Sequence, residues 1–468
     1  MPRYKFNPQS ASRPTPQALT CTLALAFLLG GCASQPATPS ATSAATTDAA
    51  SSTPEVANPL AQWWQRFNDP VMSQLVTQAL QANTSVRSAH AALQQSRALR
   101  DVKNASLLPN LSASGSAQRS KSGDLEASNS FRVGLDASWE PDIFGGNRSS
   151  LNAAEADAKA FEASLADVQV SVAAEVALAY IQLRGQQAQL GIALDNLANQ
   201  KEVLQLTDWR AQAGLTTSLE VEQARTTSEQ TSAQIPALEA SIAKTQHSLA
   251  VLTGQRPDAL RTLLSAAQPA PLAPAELAQS IPAQTLRQRP DVRAAEHRIS
   301  AALARVSAQD AARYPSFAIK GSLGLSALTL GALTNGASLA SALLASVSVP
   351  LLDAGAAKSQ VLAQEAALEQ ARASYQAVVL TALKDVQDAL EALRGDRQRL
   401  IHLQSAASAA SNAALLARQR YSSGLIDFQT VLQTQRALLS TQDNVASTQA
   451  DVSADHVRLY KALGGGWN

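Results

Sequence analysis

Residues 146–213 contain no proline, and glycine only at 146, 185 and 191. Apolar side chains recur there at three- and four-residue steps, as in Leu165, Val168, Val172, Val176, Leu178 and Ile181. That is the period of an amphipathic helix. A similar pattern runs from 356 to 423, interrupted only by Gly395. At 1.5 Å per residue, about 65 residues make a rod of roughly 100 Å. Helices of that length are foreign to compact domains and point to coiled coil. Aromatic residues are only 4% and charged residues 16% of the chain, which suits narrow helix seams rather than a large aromatic core.

The rods belong to a repeated unit. Leu183-Arg184-Gly185 matches Leu393-Arg394-Gly395, Gly214-Leu215 matches Gly424-Leu425, and Gly145 matches Gly355, each at an offset of 210. Leu108-Pro109 resembles Tyr314-Pro315, and Val86-Arg87 resembles Val292-Arg293, at an offset of 206. Several matches in order at nearly one offset imply two halves, residues 59–256 and 257–468. Each half reads as a helix, two strands and two long helices. The glycines at 214 and 424 stop the first rods as C′ residues do, and returning helices follow at about 216–254 and 426–464. Each half therefore contains an antiparallel helical hairpin.

Strand signals lie at about 108–118, 131–142, 315–326 and 343–353. Phe131, Val133, Leu135, Ala137 and Trp139 alternate with Arg132, Gly134, Asp136, Ser138 and Glu140. Leu111, Ala113 and Ala117 alternate with serines, and Phe317, Ile319, Leu323 and Leu325 with Lys320 and Ser322. Leu343, Ala345, Val347, Val349 and Leu351 alternate less strictly. Such segments fit membrane-spanning strands. A half-buried soluble strand shows the same alternation, so the pattern alone leaves both open. If the strands lie in a membrane, their sheet must close, because lipid cannot satisfy open edges. Four strands cannot enclose a lumen; three chains would supply twelve, and threefold symmetry is a natural closed assembly.

The N-terminus reads as a targeting segment spanning residues 1–31. Arg3, Lys5 and Arg13 precede an apolar stretch from Leu19 to Leu29, too short to cross a bilayer as a mature helix. Leu29-Gly30-Gly31-Cys32 resembles a lipobox, making Cys32 the lipid anchor; Ala33, not being Asp, implies sorting to the outer membrane. The only other cysteine, Cys21, lies within the segment to be removed, so no disulfide is expected. Residues 32–58 are rich in Ser, Thr, Ala and Pro and read as a flexible linker from the anchor.

With these features in place, the chain resembles the TolC-like outer-membrane efflux protein family, in its lipoprotein (NodT-type) branch. The carriers are Trp63-Trp64 with Phe67-Asn68-Asp69-Pro70, Leu108-Pro109, and Trp139 through Gly145. Arg289-Pro290-Asp291-Val292 with Ala295-Glu296, and Pro350 to Gly355, complete the set. The resemblance implies a mixed α+β membrane protein. A trimeric 12-stranded β-barrel would sit above an α-helical coiled-coil tunnel reaching into the periplasm. A mixed equatorial region would form at about 60–80, 257–288 and the C-terminal end. The implied role is a passive exit duct for drugs or other small toxic compounds. The implied partners are a periplasmic adaptor and an inner-membrane transporter of the resistance-nodulation-division (RND) class, with no cofactor and no nucleic acid.

The resemblance also places a gate at the ends of the rods. Tyr421 matches a residue that latches the closed state in relatives. Thr430 and Gln433 stand where many relatives carry acids, which puts cation binding there in doubt. Asp427, one helical turn earlier, is a substitute acid; Leu425 is an alternative apolar plug; Arg436 is a candidate hydrogen-bond donor across the coil. Ordinary packing is the competing account of Tyr421, Asp427 and Arg436. The turns at Gly214, Leu215 and Gly424 protrude furthest and are candidate adaptor contacts.

Enzyme signals are missing. The five histidines, at 90, 247, 297, 402 and 456, sit in no metal-ligand spacing and read as solvated helix positions. No nucleophile elbow, phosphate loop or dinucleotide fingerprint occurs. The near-neutral net charge of +1 gives no footprint for nucleic acid. A type I protein-secretion duct shares the expected fold. A purely structural coiled-coil lipoprotein is the third reading, and the four strand segments argue against it.

Overall fold

The two longest helices set the dimensions of the molecule. The computed structural model describes residues 62–124, 126–272 and 287–465. The expected signal segment (1–31), Cys32 and the linker at 32–58 lie outside the described residues. Helix α3 spans Gly146–Gln212 and α6 spans Ala356–Ser422, 67 residues each and therefore about 100 Å long. Both start alike. Gly145 and Gly355 take φ of 76° and 86°, open to glycine at little cost. The Asp142 carboxylate accepts from the backbone N–H of Asn147 and Arg148. Asp353 likewise accepts from Gly355 and Ala357. Both rods end on a glycine: Leu215 N–H reaches Arg210 O and Leu425 N–H reaches Arg420 O, with Gly214 and Gly424 at φ 69° and 71°. These are Schellman stops.

Return helices α4 (Ser218–Leu252) and α7 (Phe428–Ala462) pack back along the rods. Shorter helices α1 (Pro70–Ala82), α2 (Thr84–Ala105) and α5 (Pro290–Ala311) lie beside them. The close of each half is repeated in chemistry. Asn83 Nδ2 donates to Leu252 O at 2.8 Å, and Arg289 Nη1 donates to Ala462 O at 2.7 Å, tying the start of one helix to the end of another. Gly254 and Gly464, both at positive φ, follow the return helices, and a Cβ on Gly254 would meet Ala82 O at 2.5 Å.

Helix α3 is the core. It packs against α1, α2, α4, α5 and α7. Its apolar stretch is long enough to cross a membrane by composition, but Val172, Val176, Tyr180 and Ile181 are buried among neighbouring helices. A 3-10 turn, Trp63–Phe67, plugs the same cluster. Trp63 is fully buried and stacks on Tyr460 with ring centroids 5.2 Å apart. Asp69 caps α1 through Met72 N–H and accepts from Tyr180 Oη at 2.8 Å.

The sheet is a four-stranded antiparallel meander in the order β1 (Asn110–Ser120), β2 (Ser128–Trp139), β3 (Ser316–Ala327), β4 (Leu339–Ser348). These bounds differ by a few residues from the expected windows. β2 and β4 begin earlier, at polar Ser128 and at Leu339, and both stop before Pro141 and Pro350, which cannot donate to a ladder. No strand residue of β1 or β4 is covered by the rest of the chain. Gly134 faces Gly324 across β2 and β3, where a Cβ on Gly324 would lie 2.7 Å from Val133 O. Small residues there let the two strands approach closely.

A paired substitution tests the closing glycines. Gly254→Ala forces an L side chain into positive φ and against Ala82 O, and unfolding in detergent is expected to shift down by about 2 kcal/mol or more. Gly191→Ala, in open space within α3, should instead stabilise by up to about 1 kcal/mol. Equal effects at the two positions would show that the tight junction does not matter.

Candidate functional site

Strand pairing sorts the sheet into two unlike faces. Leu111, Ala113, Val133, Leu135, Leu323, Leu325 and Leu343 share one face through the pairs Leu111↔Ala137, Ala113↔Leu135, Val133↔Leu325, Leu135↔Leu323 and Gly321↔Leu343. The opposite face carries Ser112, Ser114, Arg132, Asp136, Lys320 and Ser322, through pairs such as Ser112↔Asp136 and Asp136↔Ser322. Ser114 Oγ donates to Asp136 Oδ2 at 2.7 Å, so the polar face is hydrogen-bonded within itself. Val133, Leu135, Leu323 and Leu343 are all exposed; the helical elements that contact the sheet are the short 3-10 turns Leu330–Thr334 and Gly336–Ser338. Where the strands enter the helices, aromatic rings gather. Phe144 stacks on Tyr314 at 4.9 Å, and Trp139 Nε1 donates to Leu107 O at 3.0 Å. A belt of this kind, one end apolar and one end hydrogen-bonding, suits a hydrocarbon–water boundary.

The second site is at the far ends of the rods. Tyr421, at the C-terminal end of α6, is buried there with Phe428, Val431 and Leu432. Its Oη donates to Glu220 Oε2 at 2.9 Å, crossing from α6 to the first turn of α4. Burial raises the phenol pKa, and the Glu220 carboxylate accepting its proton raises it further. Arg210, in the last turn of α3, donates to Tyr421 O at 2.9 Å and places its guanidinium 4.6 Å over the Tyr421 ring. Thr216, in the first turn loop, also hydrogen-bonds Glu220. One tyrosine thus joins both hairpins.

The other expected gate residues fall differently. Asp427 is the N-cap of α7: its Oδ1 accepts from Thr430 N–H at 2.9 Å and Thr430 Oγ1 at 2.6 Å. The Thr430 hydroxyl and backbone donors hold the Asp427 carboxyl below its usual range. This acid is engaged in its own helix start. Leu425 is 73% exposed at the tip of its turn. Gln433 and Arg436 are exposed on α7. Arg436 lines a groove of about 400 Å³ with Gln200, Thr231 and Asp443. Within the chain, Arg210 is a donor that crosses between the hairpins, to Tyr421 O. Gly214, Leu215 and Gly424 are exposed at the two turns, and Trp209 and Leu219 add exposed apolar surface beside the first.

Sequence reasoning missed Glu220 and Arg210, whose meeting with Tyr421 depends on tertiary packing. His456 departs from its expected solvated position. It is buried, with Nε2 2.9 Å from Arg397 and Nδ1 2.8 Å from Val452 O, and burial lowers its pKa. Among the described residues no group of three His, Cys, Asp or Glu is arranged to hold a metal ion.

Known proteins converge on this arrangement. A family model described as "Outer membrane efflux protein" matches twice, at residues 75–255 and 281–465, reproducing the internal repeat. A solvent efflux pump outer membrane protein, SrpC of Pseudomonas putida, is 32% identical over 413 residues, 86% of this chain and 87% of that protein. The pyoverdine export outer membrane protein OpmQ of Pseudomonas putida is 33% identical over 419 residues, 87% of this chain and 88% of its own length. The solved structure of the outer-membrane channel OprN superposes with a TM-score of 0.83 at 35% identity, covering 87% of this chain and 93% of that one. The chain belongs to the outer membrane efflux protein family, of the NodT type, and is a protein of the Gram-negative outer membrane.

Proposed function

We propose that this chain is the exit duct of a tripartite efflux pump, passively conducting small toxic compounds outward. An inner-membrane transporter, of the RND class by family resemblance, and a periplasmic adaptor would deliver the cargo. The observation that carries the reading is the two-faced sheet with an uncovered apolar side. Exposed leucines on one face and serines with Asp136 and Lys320 on the other fit lipid outside and water inside. The free edges of β1 and β4 call for neighbours, and three copies of the four-stranded sheet would give a twelve-stranded barrel. The pump names of relatives such as SrpC support the assignment to export. Selectivity at the rod ends would not rest on an acidic ring, since Thr430 and Gln433 are neutral and Asp427 is committed to its cap. The exposed turn at Gly214-Leu215 and the turn at Gly424 would meet the adaptor.

The first test is the protein mass of the signal-cleaved protein in mild detergent, by light scattering corrected for bound detergent. A trimer that conducts in planar bilayers is expected. A monomer that stays soluble after Cys32→Ser would overturn the duct.

In this reading Tyr421 latches the closed gate by holding α6 to α4. A buried hydrogen bond to a charged acceptor contributes about 1.5–3 kcal/mol, so its loss shifts the closed–open ratio roughly ten- to a hundredfold. Tyr421→Phe keeps the ring under Arg210 and removes the hydroxyl that donates to Glu220 and also meets Thr207. Single-channel recordings should show a larger open fraction for Tyr421→Phe than for wild type, and a comparable gain for Glu220→Ala, which removes the acceptor. Unchanged recordings in both variants would leave Tyr421 a packing residue.

A further inference from the structure

The seams that join each rod to its return helix repeat in register but not in chemistry. Between α3 and α4, Thr245 Oγ1 donates to Gln186 Oε1 at 3.0 Å, and Gln186 Nε2 donates to Ser241 Oγ at 2.9 Å. One residue along, Gln187 and Gln246 both donate to Leu264 O, at 2.8 and 3.3 Å. All of these partners are neutral. At the offset of 210, the images of Gln187 and Gln246 are Arg397 and His456, on α6 and α7. These two meet directly, with Arg397 Nη2 2.9 Å from His456 Nε2. The register of the first seam therefore holds in the second. The images of Gln186, Thr245 and Ser241 are Asp396, Asp455 and Asp451. An amide and two hydroxyls have become three carboxyl groups, none of which can donate when ionised.

Asp455 is the buried member. Its side chain is 1% exposed. Oδ1 accepts from Arg458 Nη1 at 2.5 Å, and Oδ2 is buried with no donor among the described residues. A buried carboxylate oxygen without a donor is costly, whereas a protonated one supplies the missing donor itself. The acceptor stands opposite. Asp396 keeps 26% of its side chain in solvent and has the Arg399 guanidinium at 3.8 Å. Burial raises the pKa of Asp455, and the facing Asp396 carboxyl raises it further, against the pull of Arg458.

The surrounding cations are spent elsewhere. Arg458 is 52% exposed, so water screens much of its charge. His456 Nδ1 must donate to Val452 O, so its Nε2 accepts from Arg397 and the ring is neutral. Asp455 also lines a groove of about 400 Å³ with Asp167 of α3, Arg289 and Asp291 of α5, Asp385 and Asp388 of α6, and Lys461 of α7. Arg289 is engaged by Asp291 and Asp385, and Asp388 by Lys384. Among the described residues no group of three acids is arranged to hold a metal ion, which leaves a proton as the species that resolves the pair.

We infer that the α6–α7 seam is a proton-binding site, in which Asp455 carries the proton on Oδ2 and donates it to Asp396. Loss of that proton leaves two facing charges in a buried seam, with Asp451 close by. A rise in pH therefore weakens the second hairpin at this level, while the Thr245–Gln186 contact of the first is indifferent to pH. The inference stands on the single chain and does not depend on the duct proposed above.

The sign of the effect makes it testable. A carboxyl whose pKa is raised by folding stabilises the fold fully below the ordinary carboxylate range, and that contribution is lost as pH rises through the raised value. Full-length protein in mild detergent would be unfolded by heat at steps between about pH 4 and about pH 8. Wild type should lose a few degrees of Tm with rising pH relative to Asp455→Asn, whose amide donates to Asp396 at every pH. The double variant Asp396→Gln with Asp455→Thr installs the pair of the first seam and should follow Asp455→Asn. Asp167 and Asp443, whose pKa values burial also raises, are present in every chain and cancel in the comparison. Infrared difference spectra at about pH 5, wild type minus Asp455→Asn, should contain the carbonyl stretch of a protonated carboxyl, and they remain readable if the double variant does not fold. Parallel Tm profiles for wild type and Asp455→Asn, or a difference spectrum with carboxylate bands alone, would overturn the proposal.

Discussion

An antiparallel sheet with two free edges cannot rest in hydrocarbon. Each unpaired backbone N–H or C=O there costs several kcal/mol, and lipid offers no donor or acceptor in return. This sheet exposes leucines along one face and leaves β1 and β4 unpaired on their outer sides. In water the leucine face is unfavourable; in lipid the edges are. A closed barrel made from several chains removes both costs at once. In the barrel proposed above, closure would set how many chains meet, and the helices that follow the strands would inherit that arrangement. Among the described residues α3 is the more buried of the two rods.

Duplication makes it possible to see which residues answer to the backbone and which to their surroundings. The glycines at 145 and 355, 214 and 424, and 254 and 464 recur because each sits at positive φ at a helix start or stop. Elsewhere the two halves solve one task with different chemistry. Asn83 and Arg289 both reach the last carbonyls of a return helix. Thr245 donates to Gln186 at 3.0 Å between α4 and α3, whereas the corresponding positions between α7 and α6 are Asp455 and Asp396. Burial raises the pKa of Asp455, and Arg458 at 2.5 Å offsets part of that. The first half uses neutral partners there; the second uses two carboxylates, Asp455 buried and Asp396 partly exposed.

The large features were legible in the sequence for physical reasons. Long runs without proline, and with glycine inside them only at 185, 191 and 395, leave the backbone little choice but a continuous helix. Period-two alternation marks strands whichever solvent they face. Strand ends were less legible, because Ser128-Asn129-Ser130 pair in the ladder without any apolar alternation. The side-chain cluster at the ends of the rods was legible only in part. Tyr421 was found, but Glu220 and Arg210 lie 201 and 211 residues away and meet it only through packing. Asp427 carried a local signal that was underused: an acid three residues before a threonine at a helix start is an N-cap pattern, and that is the role it fills. His456 could not be placed from spacing, since its burial depends on α6 lying beside α7.

The contacts of Tyr421 also bear on how the proposed docking partner would act on the rod ends. Tyr421 contacts α4 through Glu220 and α3 through Arg210, so both hairpins share one side chain near their tips. Interactions of this size total a few kcal/mol, while the rods behind them are held by continuous helix packing. Moving an equilibrium from 1:99 to 99:1 requires about 5.5 kcal/mol of differential binding. A docking protein that favours the separated tips could supply that from an interface of ordinary quality. The exposed Trp209, Leu215, Leu219 and Leu425 offer apolar surface within the same few turns as the latch. Binding energy gained there would act directly on the contacts that hold the hairpins together, with no need for a signal through the length of the rods.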